Sequence, residues 1–253
     1  MKNKMFIICA ILAAMLLCAC GSTAADSQAA ETDTEATAEE STAAPELTPE
    51  PTLEPSPEPT LPPKPDIDIE SWEFRYAGLS NGVGRYAPES LVDIEDQYMD
   101  GRCAQATRDF LKAARDEGYQ VFIGVSYRNF EYNMYGYEKA ILKYGSAYEA
   151  AKHRTPPGCS EHSLGLAFDI TDKYLYRANY YDMHDEEMGD TEVYKWMADH
   201  CTDYGFIVRY PEGKEEFYER GCYDGHFRYV GIEAAKYITE NKLCLEEFIA
   251  LYK

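Results

Sequence analysis

A histidine and an aspartate are placed seven residues apart in the stretch Ser160-Glu161-His162-Ser163-Leu164-Gly165-Leu166-Ala167-Phe168-Asp169. Residues 165–170 are predicted to form a short strand that is apolar on both faces and carries one carboxylate near its end. A carboxylate in an apolar strand costs free energy unless a partner compensates its charge. A divalent metal ion is the strongest such partner, and an imidazole together with a carboxylate suits zinc.

A third metal ligand is expected elsewhere in the chain. The best candidate is His226, which lies in a second short apolar stretch, residues 225–231. Two histidines and one aspartate would leave the fourth zinc position open for water, which is the pattern of catalytic rather than structural sites. His153, His184 and His200 stand in polar stretches or near a helix end, and we interpret them as non-ligands.

Composition limits the classes of partner that the chain can bind. The chain has 253 residues, of which 45% are hydrophobic, and this is enough for one good-sized domain. Its formal charge of −21 argues against binding of nucleic acid and against an electrostatic hold on anionic lipid. We therefore expect no nucleic-acid partner.

Residues 1–20 are predicted to be a signal peptide. Lys2 and Lys4 precede an apolar stretch, residues 5–17, that is too short for a relaxed membrane span. The segment then ends in Leu17-Cys18-Ala19-Cys20-Gly21, which resembles the bacterial lipoprotein signal, where cleavage precedes a cysteine that becomes diacylated. Cys20 fits better than Cys18, and the alternative is an ordinary secretory signal. The resemblance implies a lipid anchor on Cys20 at the outer face of the cytoplasmic membrane, facing the cell wall.

Residues 21–68 are predicted to be an extended tether. The segment holds no aromatic residue, so it cannot bury enough apolar surface to fold. Residues 21–70 carry 13 acidic side chains and 1 basic side chain, and residues 45–65 hold nine of the thirteen prolines. Both features extend a chain, and the reach is somewhere between ~40 Å as a coil and ~140 Å as a polyproline helix.

Residues 69–253 are predicted to form a single compact α+β domain. The pattern predicts helices over residues 100–118, 191–204 and 233–241, and a helical region over 129–151 that is broken near Gly136 or Gly145. It predicts strands over residues 119–125, 165–170, 206–210 and 226–230, with polar loops over 154–159, 172–190 and 211–221. Few strands, lying far apart in the sequence, favour a small, mostly antiparallel sheet flanked by helices.

Four motifs in this region resemble the VanY-type D-alanyl-D-alanine carboxypeptidases, which are LAS-type zinc peptidases of the bacterial cell wall. They are Tyr127-Arg128 after a predicted strand, Ser160-x-His162-x-x-Gly165-x-Ala167-x-Asp169, Tyr204-Gly205-Phe206-Ile207-Val208-Arg209-Tyr210-Pro211, and His226-Phe227-Arg228-Tyr229-Val230-Gly231. The resemblance covers about residues 85–240, in the family's order. It therefore extends over nearly the whole predicted domain.

The resemblance assigns roles to individual residues. It places Zn²⁺ on His162, Asp169 and His226, and it assigns Arg128 to the terminal carboxylate of a peptide substrate. A planar guanidinium can form two parallel hydrogen bonds with a carboxylate, which agrees with that role. Ser160 is implied to form a hydrogen bond near the site. The implied reaction trims the C-terminal D-alanine of peptidoglycan stem peptides, and L,D-carboxypeptidase activity is the alternative within the same family. We expect a monomer.

One departure from the family concerns the catalytic base. The family usually has a glutamate three residues before the last histidine, in a Glu-x-Trp-His segment, whereas this chain has Tyr223-Asp224-Gly225-His226. Asp224 is our candidate base, because Gly225 could let the backbone turn and bring its carboxylate round. Glu219 is a second candidate. The third alternative is a degenerate lipoprotein that binds wall peptide without hydrolysing it, and a fourth is a structural lipoprotein that has lost its metal.

The cysteines of the domain suggest one disulfide. Of the five cysteines after residue 69, Cys159 and Cys222 lie three or four residues from a proposed ligand. If the ligands converge, these two cysteines could come within disulfide range after export. Such a bond would fix the segment around Asp224 that departs from the family.

Overall fold

A four-stranded antiparallel sheet carries two of the predicted ligands on its central strands. The computed structural model describes residues 61–171, 188–218 and 224–253. The sheet has β3 (Phe122–Val125) at one edge, followed by β4 (Ala167–Thr171), β6 (His226–Tyr229) and finally β5 (Phe206–Val208). All three pairings are antiparallel. The predicted α+β fold with a small antiparallel sheet is therefore confirmed.

A separate two-stranded hairpin, β1 (Leu91–Ile94) and β2 (Gln97–Asp100), precedes the sheet. Its two turn residues, Glu95 and Asp96, have φ angles of 59° and 66°, which is the left-handed geometry of a tight hairpin turn. Sequence reasoning missed this hairpin, because the turn contains neither glycine nor asparagine.

Seven helices surround the strands in the described part of the chain. They are α1 (Ala104–Asp116), α2 (Phe130–Tyr144), α3 (Ala147–Ala151), α4 (Glu192–His200), α5 (Glu215–Tyr218), α6 (Ile232–Glu240) and α7 (Leu245–Ala250). The predicted break in the region 129–151 falls at Gly145, which has φ +86° and caps α2 with a hydrogen bond to Ile141 O. Gly136 lies inside α2, where the Arg154 guanidinium packs closely against it. The short helices α5 and α7 were not predicted.

An aromatic core packs α1 against the sheet. Phe110 of α1 is fully buried, and its ring lies 5.1 Å from Tyr204, 5.6 Å from Phe206, 5.4 Å from Phe227 and 6.4 Å from Phe168. These rings come from the strands β4, β5 and β6 and from the turn before β5. Aromatic pairs at these separations are favourable beyond their area burial. They give the central strands a rigid support on one face.

Gly165 fixes the approach to β4. It ends the 3₁₀ helix Glu161–Leu164 with φ +69°, and its carbonyl accepts a hydrogen bond of 2.8 Å from Asp100 N. A Cβ at this position would lie 3.0 Å from Pro88 Cγ and 3.1 Å from Asp100 N. Only glycine satisfies both the backbone angle and the close approach. The turn that carries His162 is therefore held in one orientation to the strand that carries Asp169.

The end of the predicted tether lies along the last two helices. Tyr237 Oη donates to Pro62 O at 2.8 Å, and Tyr252 Oη donates to Pro65 O at 2.6 Å. Residues 1–60 lie outside the described part of the chain, so the signal peptide, Cys20 and most of the tether stay predictions. Within the described residues, every helix is too short or too polar to cross a lipid bilayer.

Candidate metal centre

Two histidines and one aspartate meet at one end of the central strands. His226 Nδ1 lies 2.6 Å from Asp169 Oδ1, and His162 Nε2 lies 3.3 Å from Asp169 Oδ2. The two imidazole centroids are 4.9 Å apart. One ligand atom from each of the three residues lies within 4.8 Å of the other two. The structure thus brings together the three residues that the sequence nominated as metal ligands.

Strand register and one helical turn position these side chains. Asp169 on β4 is the direct cross-strand partner of His226 on β6, so their side chains project from the same face of the sheet. His162 reaches them from the 3₁₀ helix that ends at Gly165. The carbonyl of His162 accepts a hydrogen bond of 3.0 Å from Arg128 N, which ties this turn to the segment after β3.

Burial sets the charge state of the group. Asp169 is 5% exposed and His226 is 2% exposed. Burial alone would raise the pKa of Asp169, but the two imidazoles outweigh it and hold this pKa well below its ordinary value. Burial lowers the pKa of His226 to about 4, although the nearby Asp169 carboxylate acts to raise it. An ionised carboxylate and a neutral imidazole are the protonation states that metal coordination requires.

The donor set fits zinc. Two imidazole nitrogens and one carboxylate oxygen match the three-ligand catalytic type, which keeps one position for a further ligand. His162 Nδ1 is buried and finds no hydrogen-bond partner among the described residues. Its other ring nitrogen, Nε2, faces Asp169 Oδ2 at 3.3 Å, so a cation held jointly with Asp169 would be bound by Nε2.

The two proposed substrate residues flank the turn of His162. Arg128 is half-buried, and its guanidinium carbon lies 4.7 Å from the centroid of the Tyr132 ring. Asn133 Nδ2 donates to Arg128 O at 3.3 Å and to Ser163 Oγ at 3.1 Å, which joins the two segments. Ser160 begins the 3₁₀ helix, and its carbonyl accepts from Ser163 N at 3.0 Å.

Asp224 occupies a different position from the three ligands. Its carboxylate packs against Gly189, where a Cβ would lie only 2.1 Å from Asp224 Oδ2. The backbone does turn at Gly225, which has φ +84°. Asp224 is not in the group whose ligand atoms lie within 4.8 Å of one another. Its role as base stays a prediction, and the alternative base Glu219 lies outside the described residues.

A buried charge cluster next to the metal centre was missed. It consists of Glu161, Arg209, Arg228 and Glu246, and its first three members are 2%, 1% and 0% exposed. Burial would raise the pKa of Glu161, but Arg228 and Arg209 outweigh this and lower it to about 2. The signal was available, because Arg209 and Arg228 stand in short apolar stretches, as Asp169 does.

Three cysteines are buried thiols. Burial raises the pKa of Cys103 and Cys201 to about 12 and that of Cys244 to about 11, so the unreactive protonated form dominates. The predicted pairing of Cys159 with Cys222 is not tested, because Cys222 lies outside the described residues.

The fold and the ligand group define a small α+β metallopeptidase domain. The chain belongs to the VanY D-alanyl-D-alanine carboxypeptidase family, whose model matches residues 96–232. This match confirms the family resemblance of the four sequence motifs.

Individual relatives agree with this assignment. The YodJ protein of Bacillus subtilis is 34% identical over 182 residues, which cover 67% of this chain and 64% of the relative. A vancomycin-resistance D,D-pentapeptidase VanY, solved as a glutamate-to-alanine mutant with Zn(II), is 28% identical with a TM-score of 0.59, covering 71% of this chain and 99% of that one. The LdcB LD-carboxypeptidase is 31% identical with a TM-score of 0.54, covering 66% and 76% respectively.

Replacement of Asp169 tests the metal centre directly. Zn²⁺ should raise the thermal midpoint of the wild-type domain, because it binds the folded state only; the gain is about 2.7 kcal/mol when free zinc is about 100 times the Kd. Asp169→Asn should lose this shift, since a neutral amide is a poor zinc ligand. His153→Ala is the control, because His153 is exposed and stacks on Tyr144 away from the group. A zinc shift that persists in Asp169→Asn would contradict the assignment.

Proposed function

We propose that this chain is a zinc-dependent carboxypeptidase that removes the C-terminal D-alanine from peptidoglycan stem peptides. The observation that carries the proposal is the convergence of His162, Asp169 and His226 within 4.8 Å, inside the region that matches the VanY family. The Zn(II) complex of the similar D,D-pentapeptidase supports the choice of metal. Fold alone would not support a function, but fold together with this ligand group does.

His162, Asp169 and His226 would hold the ion. Zinc in such a site supplies Lewis acidity toward a carbonyl oxygen and makes water a stronger nucleophile at neutral pH. Asp169 provides the negative charge of the ligand set, and the cross-strand pairing of β4 and β6 fixes its geometry to His226. The low exposure of these two ligands limits competition from bulk water.

Arg128 is proposed to bind the terminal carboxylate of the substrate. It lies on the segment whose amide bonds to His162 O at 3.0 Å, so its backbone position is coupled to a ligand. A guanidinium at a fixed distance from the reacting centre would select the chain end and give exopeptidase specificity. Ser160, at the start of the same helical turn, is proposed to contribute a further hydrogen bond to the bound peptide.

Proton transfer is assigned to Asp224. A carboxylate two residues before His226 could take a proton from the attacking water and return it to the leaving amine. Its carboxylate packs against Gly189, and it precedes the ligand His226 by two residues. Glu219 is the alternative base. Because the family's glutamate position holds Tyr223, a binding protein without hydrolysis remains the competing function.

A second candidate activity comes from the same family. The similarity to the LdcB LD-carboxypeptidase supports cleavage of a tetrapeptide, whose last bond joins an L-centre to D-alanine. The two activities share the ligands and the carboxylate-binding arginine. They differ only in the residue before the scissile bond, so the pocket around that residue decides between them.

The decisive experiment is incubation of the purified domain with stem pentapeptide and with stem tetrapeptide. We expect release of D-alanine from the pentapeptide and loss of activity after chelation, restored by Zn²⁺. Arg128→Lys should raise KM by roughly tenfold, because the bidentate contact is lost. Cleavage of the tetrapeptide alone would favour the L,D alternative. Absence of product from both peptides would reject the enzyme.

Substitution of the acids identifies the base. Asp224→Asn should lower kcat by about 10²- to 10⁴-fold with little change in KM, since the transfer of a proton is lost but binding is not. Glu219→Gln serves as the matched control and should keep activity. Full activity in Asp224→Asn together with loss in Glu219→Gln would transfer the role to Glu219. Activity that appears only in Tyr223→Glu would support the binding protein.

We also propose that Cys20 is lipidated and holds the protein at the outer face of the cytoplasmic membrane, with residues 21–68 as a tether whose last residues, from Pro62 on, lie against the domain. The basis is the sequence Leu17-Cys18-Ala19-Cys20-Gly21 after an apolar stretch. A monomer suffices for this arrangement, because all proposed site residues come from one chain. Cys20→Ala should move the protein from the membrane fraction to the soluble fraction, and retention in the membrane would contradict the anchor.

A further inference from the structure

Glu161 lies at the centre of the buried charge cluster. Its Oε1 accepts hydrogen bonds from Arg209 Nη2 at 3.3 Å and from Ala77 N at 2.9 Å, and its Oε2 pairs with Arg228 Nη1. Glu246 pairs with Arg209 from the other side, at 2.6 and 2.9 Å. Two guanidiniums are thus balanced by two carboxylates inside the protein.

Such a cluster is a costly way to stabilise a fold. Burial of charges removes them from water, and well-packed apolar residues of similar volume often give equal or greater stability. The side chain of Glu246 is 15% exposed, whereas that of Glu161 is 1% exposed. Of the two carboxylates, Glu161 therefore carries the larger desolvation cost, which calls for a role beyond stability.

The cluster is joined to the backbone of two metal ligands. Glu161 directly precedes His162 in the 3₁₀ helix, so its side chain anchors the turn that carries this imidazole. Arg209 N donates to His226 O at 3.1 Å, and Arg228 follows His226 by two residues on β6. The ion pairs from Glu161 to the two arginines therefore connect the His162 turn to β6, which carries His226, and to the residue that follows the neighbouring strand β5.

We propose that Glu161 is a positioning residue of the metal centre: its charge and length hold His162 at the correct distance from Asp169 and His226. The inference rests on the proposed function, because it assumes that these residues bind zinc. Ser163, on the other side of His162, is held by Asn133 Nδ2 at 3.1 Å. Both sequence neighbours of His162, Glu161 and Ser163, are thus held by side-chain hydrogen bonds. Outer contacts that orient ligands in this way typically set metal affinity.

The test compares variants that disturb the same cluster at different places. Glu161→Asp keeps the buried charge, so the charge balance of the cluster is preserved. Its side chain is shorter, so the His162 turn must shift to keep the contacts with the arginines. Glu161→Gln removes the charge. Glu246→Gln is the matched control, because it removes the other carboxylate of Arg209 on the side away from His162. Zinc affinity is measured by competition with a chromophoric chelator, and stability by thermal unfolding of the metal-free protein.

We expect both Glu161 variants to bind zinc about 10- to 100-fold more weakly than the wild type, with a changed absorption spectrum of the Co²⁺-substituted protein. Glu246→Gln should lower the thermal midpoint yet keep wild-type zinc affinity and spectrum. A purely structural role of the cluster would instead lower the melting temperature of all three variants, with no difference in zinc affinity between the Glu161 variants and Glu246→Gln.

Two results would overturn the inference. One is a Glu161→Asp variant that folds and binds zinc as tightly as Glu246→Gln. The other is an equal loss of affinity in Glu246→Gln, which would assign the effect to the cluster as a whole. Should Glu161→Gln fail to fold, Glu161→Asp still decides, because it retains the buried negative charge between the two arginines. Failure of the proposed function gives a different result, since the wild type itself would then bind no zinc.

Discussion

The buried carboxylate of Asp169 is the constraint on which the rest of the structure depends. It sits 5% exposed between two imidazoles, at 2.6 Å from one and 3.3 Å from the other. A charge in this position is tolerated only if its partners are held at fixed distances. The pairing of β4 with β6 provides one distance, and the glycine-terminated turn before β4 provides the other.

A second set of buried charges lies beside the first. Glu161 with its two arginines forms a cluster that shares a turn with His162 and a strand with His226. The aromatic rings around Phe110 support the same strands with apolar packing. The site is thus held by charge pairing near the turn of His162 and by ring packing against the sheet, and both kinds of contact reach the strand of His226.

Sequence patterns predicted the sheet and four of the longer helical segments, because the helices bury one apolar face and the strands are short apolar runs, of which β4 is buried on both faces. It could not predict the hairpin of residues 91–100, whose turn residues Glu95 and Asp96 take left-handed angles without the usual glycine or asparagine. Isolated charges in apolar strands led to Asp169. The same argument applied to Arg209 and Arg228 would have found the second cluster. The place of Asp224 depends on its contact with Gly189, which is distant in sequence and invisible to any local pattern.

The cross-strand partnership of Asp169 and His226 spans 57 positions of the chain. Because ladder hydrogen bonds and not chain length fix this partnership, the connecting segments between β4 and β6 are free to lengthen or shorten without moving the ion. The spacing from His162 to Asp169 has no such freedom, since only one tight turn and the two strand residues Ala167 and Phe168 lie between them. Evolutionary insertions should therefore accumulate between the second and third ligands and be absent between the first and second.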